Sequence, residues 1–174
     1  MATPNTALTT LQQVAQNLGV SQYWLWSLIK FESNADPAAR NSVTGARGLI
    51  QFLNSTAKSL GYDSADDLYN KNPSFDSQMN GPVYDYLKQY KPFPTKQSLY
   101  MAVFYPAARS WSPDTVFPDA VRKANPGIDT VQDYIDHVEH VKIVKKAIDI
   151  IKPIAIVAAL AGIAYLIAKK GNTL

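Results

Sequence analysis

A chain of 174 residues, 47% hydrophobic and 18% charged, carries enough apolar surface for one folded domain with a core, so disorder is excluded as its default state. With no cysteine it is barred from disulfides, thiolate zinc sites and a cysteine nucleophile, and with only His137 and His140 it is poorly equipped for serine–histidine hydrolysis. The net charge of +3 divides unevenly, since residues 1–141 hold 11 Lys+Arg against 13 Asp+Glu and residues 142–174 hold 6 against 1.

Met1 to Thr10 has no Lys or Arg and no apolar run of signal-peptide length, so no cleavable secretion signal is expected. Leu8, Leu11, Val14, Ala15 and Leu18 keep the three-and-four spacing of an amphipathic helix, with Gly19 where a C-terminal cap belongs. Ser21 is a suitable N-cap for a second helix through Trp24, Leu25, Leu28 and Ile29. Turn formers then crowd together from Asn34 to Gly45. A third helix is predicted over 49–60, stopping at Gly61, and further helical pieces over 76–90 and 98–109, parted by the proline-bearing stretch Tyr90 to Pro94. Alternating runs typical of strands are scarce, so the fold class is mainly α.

After the loop Asn125 to Gly127, Thr130 with Asp133 three residues on forms a weak capping-box pattern. Residues 153–168 contain no charge and are apolar on every face, with Lys152 before them and Lys169 and Lys170 after. Sixteen helical residues span about 24 Å, which Ile150, Ile151 and snorkelling lysines extend toward the roughly 30 Å of a hydrocarbon core. The basic flanks fit a lipid surface better than nucleic acid. The predicted organisation is therefore a domain over 1–129, followed by a helical linker and a C-terminal hydrophobic, membrane-associating helix over 130–174. A buried core helix is the alternative for the apolar run.

Glutamate is rare: the chain has twelve aspartates but only Glu32 and Glu139. Glu32 follows Leu28 by four residues and Ile29 by three, so it projects from the apolar stripe of its helix. A carboxyl aimed toward a core is desolvated, its pKa rises, and an acid still protonated near neutrality is what glycosidic cleavage requires. Against this stands a simple helix-end glutamate, turned to solvent or paired with Arg40 or Arg47. His137, Glu139 and His140 share a helix face but lack a further ligand nearby, so no metal site is expected. No cofactor is expected either.

More specific are Glu32-Ser33, Pro37, Ala39, the run Gly45-Ala46-Arg47-Gly48-Leu49-Ile50-Gln51, and Thr56-Ala57. Their order and spacing resemble the signature of the soluble lytic transglycosylase family, whose fold is similar to goose-type lysozyme. A third motif of that family, Ala-Tyr-Asn, has a partial counterpart in Val103 to Ala107, where Pro106 replaces the asparagine. Ala35, Ile50 and Asn54 also depart from the pattern, and the Glu32 to Gln51 spacing is one residue longer than is usual in that family. The resemblance implies Glu32 as general acid and then base, Ser33 and Gln51 as contacts to sugar or acid, and Tyr105 as the hydroxyl that orients Glu32. Gly48 and Gly45 would let backbone approach a glycan strand.

The resemblance further implies a substrate of peptidoglycan glycan strands and a 1,6-anhydro product. An inverting muramidase using Asp36 or another aspartate to hold water is a near alternative. An inactive structural protein of the same fold, with Pro106 as the argument for it, is a more distant one. A wall-lytic domain with an anchor and no signal peptide suits delivery by a phage particle with an internal membrane.

Overall fold

The computed structural model describes residues 4–139, with side chains from residue 9 onward. The chain divides into two compact units, Met1–Val138 and Glu139–Leu174, the second lying almost wholly outside the described residues. Helix α1 (Pro4–Leu18) buries Leu11, Val14, Ala15 and Leu18. It ends at Gly19 (φ +71), where the Val20 N–H reaches back to the Ala15 carbonyl at 3.0 Å, a closure that favours glycine because the left-handed region crowds a Cβ. Helix α2 (Gln22–Ser33) starts at Ser21, whose hydroxyl accepts the Tyr23 N–H at 3.2 Å. Its Leu25, Leu28 and Ile29 are fully buried, and α2 packs on α1 and on α7 (Lys96–Phe104). Truncating any of the three to alanine costs about 2–5 kcal/mol by lost burial and a residual cavity.

The helix predicted over 49–60 is shorter: α3 is Asn54–Ser59. Gly48 (φ +77) and Gln51 (φ +53) are left-handed, and Arg47 and Phe52 exchange backbone hydrogen bonds at 3.0 and 2.8 Å. Residues 48–51 thus form a closed turn, and it is this turn, not helical periodicity, that buries Leu49, Ile50 and Phe52. Unforeseen is α4 (Ala65–Lys71), capped by the Ser64 hydroxyl on the Asp67 N–H at 3.0 Å. The stretch 76–90 is a bent run: α5 (Phe75–Gln78), a π-helical turn at Met79–Val83 containing Gly81 and Pro82, α6 (Tyr84–Leu87), and a 3-10 turn at Lys88–Tyr90. Proline removes a backbone donor, and the bend at 81–82 follows.

The stretch predicted helical over 98–109 breaks at Tyr105 (φ −151, ψ 87), because Pro106 keeps the preceding residue out of the helical region. After α8 (Asp119–Ala124), helix α9 is described over 131–139. Thr130 and Asp133 bond reciprocally at its start, Asp133 N–H to the Thr130 hydroxyl at 3.2 Å and Thr130 N–H to the Asp133 carboxylate at 2.8 Å. Val131, Tyr134, Ile135 and Val138 are buried in the core that also holds α1, α2 and α7. The boundary expected at 129/130 therefore falls inside the first unit, because α9 supplies part of its core. Among the described residues there are isolated β-bridges but no strand. No helix among them is long and apolar enough to cross a membrane, and the apolar run 153–168 lies outside them.

Candidate active site

The last turn of α2 positions Glu32. One turn beyond Leu28 and Ile29 the helix still faces inward, and it ends at once after Ser33, where Asn34 (φ 56) and Ala35 (φ 61) are both left-handed. Their N–H groups close on Lys30 and Ile29 carbonyls at 3.0 and 3.4 Å. Glu32 is thus carried on the last ordered turn of α2, next to the buried Ser33. Part of the residue stays open to a cleft of ≈ 440 Å³ lined by α2, the 41–53 segment, α7 and Asn125. That volume lies within the usual range for small-molecule and saccharide sites.

The hydroxyl on Glu32 is that of Tyr134, 2.5 Å from Oε1. Tyr105, expected in that role, instead packs its ring on Trp111 and Phe117. The cause is the end of the helix before Pro106, which takes residue 105 out of the α7 helical register. Tyr134 is held from two sides: Phe104 stacks on it at 4.2 Å and 17°, and Phe31 meets it edge-on at 5.5 Å and 88°. Aromatic packing on both sides leaves the ring little freedom, so its hydroxyl arrives at Glu32 pre-aimed.

Two opposing effects set the proton affinity of Glu32. Burial disfavours the carboxylate and pushes its pKa up, while the Tyr134 hydroxyl stabilises the carboxylate and pulls it down. Burial is the larger, and the pKa stands at about 7 against an ordinary 4.5. Tyr134 itself is pushed well above the usual tyrosine range, by burial and then by the nearby Glu32, so it remains the donor. The basic residues that might have paired with Glu32 are occupied elsewhere: Arg40 and Arg47 both meet Asp66, at 3.3 and 3.0 Å, and Arg47 also lies 4.1 Å over the Tyr69 ring.

Of the other expected site residues, Gln51 lines the cleft with Glu32, its Nε2 donating to the Gly48 carbonyl at 3.0 Å. Ser33 and Gly48 are not among the lining residues. Ser33 is buried, with its hydroxyl 3.1 Å from the Ile29 carbonyl and 3.0 Å from that of Leu49, so it ties the end of α2 to the 48–51 turn. A Cβ on Gly48 would come within 2.4 Å of Gln78 Oε1. The close approach that glycine permits is therefore to Gln78 and not to a glycan. Gln78, unforeseen, is fully buried and uses both ends of its amide: Nε2 donates to the Pro37 and Asn72 carbonyls at 2.8 and 3.0 Å, and Oε1 accepts the Leu49 N–H at 2.9 Å. It holds the turn that carries Gln51.

Among the lining residues Glu32 is the single carboxylate. Asp36 is exposed, outside the lining, and accepts the Ala38 N–H at 2.8 Å. His137 lies 2.7 Å from the Asp133 carbonyl, and His140 is outside the described residues. Tyr134 was within reach of sequence reasoning as an inward position, since Val131, Tyr134, Ile135 and Val138 keep helical spacing after the Thr130 cap. Its pairing with a residue 102 positions earlier was not.

Residues 9–80 match the family model described as Transglycosylase SLT domain, a span that includes Glu32, Ser33, Gly48, Gln51 and Gln78. The match supports a lytic transglycosylase family and indicates peptidoglycan-degrading activity by glycosidic bond cleavage. Phe104, Asn125 and Tyr134, which complete the site, lie beyond the matched span. No curated protein matches the chain.

Proposed function

We propose that the protein cleaves the MurNAc–GlcNAc bond of peptidoglycan as a lytic transglycosylase, with Glu32 as its acid and then its base. Neutral Glu32 delivers its proton to the bridging oxygen as the bond from that oxygen to the MurNAc C1 breaks. The carboxylate so formed, stabilised by the Tyr134 hydroxyl, takes the proton of the sugar's own C6 hydroxyl. O6 then closes on C1, giving the 1,6-anhydro ring with no water consumed and Glu32 protonated again. The observation that carries this reading is a carboxyl poised at about pH 7 with no second carboxylate lining its cleft, since a single group working in both directions needs a pKa near the working pH. Mass spectrometry of muropeptides released by the full chain tests it. Anhydro-muramoyl ends are expected, and reducing ends would replace the transglycosylase with a muramidase. Glu32→Gln should release neither.

The setting we infer from the sequence pattern is a membrane-associated enzyme, anchored through 153–168, that opens the wall for an infecting phage. The basic residues flanking that run support the anchor. Flotation of the full chain with liposomes in high salt, and its loss on deleting 153–168, is the check, because salt strips attraction that is only electrostatic.

A further inference from the structure

Two glutamine amides grip one peptide unit from opposite sides. The Gly48 carbonyl and the Leu49 N–H belong to the same peptide group, and because that group is planar its two polar ends turn together. Gln78 Oε1 accepts the Leu49 N–H at 2.9 Å, and Gln51 Nε2 donates to the Gly48 carbonyl at 3.0 Å. Neither amide can be reversed in place, since a carbonyl takes only a donor and an N–H only an acceptor. Gln78 is fixed further by the Pro37 and Asn72 carbonyls, 2.8 and 3.0 Å from its Nε2. Gln78, Gly48 and Leu49 are buried, and Gln51 is half-buried on the cleft wall. A line of hydrogen bonds thus runs from a residue outside the cleft lining, through one peptide plane, to an amide that belongs to the lining.

We infer that Gln78 is a positioning residue for Gln51, setting through the Gly48–Leu49 peptide the orientation in which the Gln51 amide meets a glycan. With Nε2 tied to the Gly48 carbonyl, the opposite end of the Gln51 amide is Oε1, an acceptor suited to a sugar hydroxyl. The inference rests on the proposed glycosidic reading for its substrate, whereas the line of hydrogen bonds stands without one.

The test combines NMR of the glutamine side-chain amides in the ligand-free full chain with KM and kcat on soluble glycan strands. In the parent, the Gln51 side-chain amide should be as ordered as the backbone and the Leu49 N–H protected from exchange. Gln78→Met keeps the length but removes the acceptor, so the Gln51 amide should become mobile and KM rise roughly tenfold, as for a lost hydrogen bond, with kcat little changed. Gln78→Glu, held neutral by burial at mildly acidic pH, loses a donor but keeps an oxygen for the Leu49 N–H. It too should be less stable than the parent, yet it should return the Gln51 signature and KM toward parent values. In a Gln51→Ala background, Gln78→Met should raise KM no further, because the residue it acts through is gone. A Gln78 that only supports the fold would instead give losses that follow stability in both variants and add to that of Gln51→Ala, and either pattern overturns the inference. A mobile Gln51 amide in the parent also overturns it, whether or not the variants fold. Failure of the glycosidic reading would show separately, as no Glu32-dependent release of muropeptides while the NMR signature stays intact.

Discussion

Replacing Glu32 by glutamine should stabilise the protein, and by an amount that depends on pH in a defined direction. The folded state holds the Glu32 proton up to about pH 7, whereas an unfolded glutamate releases it near 4.5. Between those values the native chain binds more protons than the unfolded one, so stability contributed by this group falls as pH rises, and the loss is complete above pH 7. At 1.36 kcal/mol per pH unit the whole interval corresponds to about 3 kcal/mol. Glutamine has the shape of the protonated acid and never pays the desolvation of a carboxylate. Urea unfolding of the full chain and of Glu32→Gln, each at pH 4.5 and pH 8, isolates the effect, because other titrating groups contribute equally to both. The two proteins should have similar stability at pH 4.5, and the variant should be more stable by up to about 3 kcal/mol at pH 8. Parallel pH dependence in the two proteins would refute the buried, proton-holding Glu32 on which the mechanism relies.

Tyr134→Phe removes the hydroxyl that holds the Glu32 pKa down, so the alkaline limb of the pH–rate profile, where the acid loses its proton, should move to higher pH. Activity should fall about tenfold through lost stabilisation of the carboxylate, while Tyr105→Phe should leave the profile in place. Gly48→Ala forces a side chain into a left-handed residue and into Gln78, and urea unfolding should show a loss of about 2–4 kcal/mol. Ser33→Ala should cost about 1–2 kcal/mol of stability by unmaking the bridge from α2 to the Leu49 carbonyl, with KM for glycan little changed. Ending the chain after residue 139 should preserve lysis, whereas ending it after 129 removes Tyr134 with its core helix, and circular dichroism should show an unfolded product.

The sequence by itself determined the local features. Helical periodicity marked α1 and α2, the Ser21 and Thr130 caps were visible as residue types, and Glu32 stood out as one of two glutamates, on an apolar face. These signals are legible because a helix repeats every 3.6 residues and its caps are made by neighbours in sequence. Tertiary structure decided whatever depends on residues distant along the chain. The apolar run from Leu49 reads as a helix, but the left-handed Gly48 and Gln51 and the Gln78 amide close it into a turn. Tyr105 reads as the partner of Glu32 because it lies near a motif, yet the break at Pro106 turns that ring to Trp111, and Tyr134 arrives from a helix that the sequence places beyond the domain. Which hydroxyl meets which carboxyl, and whether a glycine's open space faces a ligand or a buried amide, is settled by the packing of whole elements, a long-range property that no local spacing encodes.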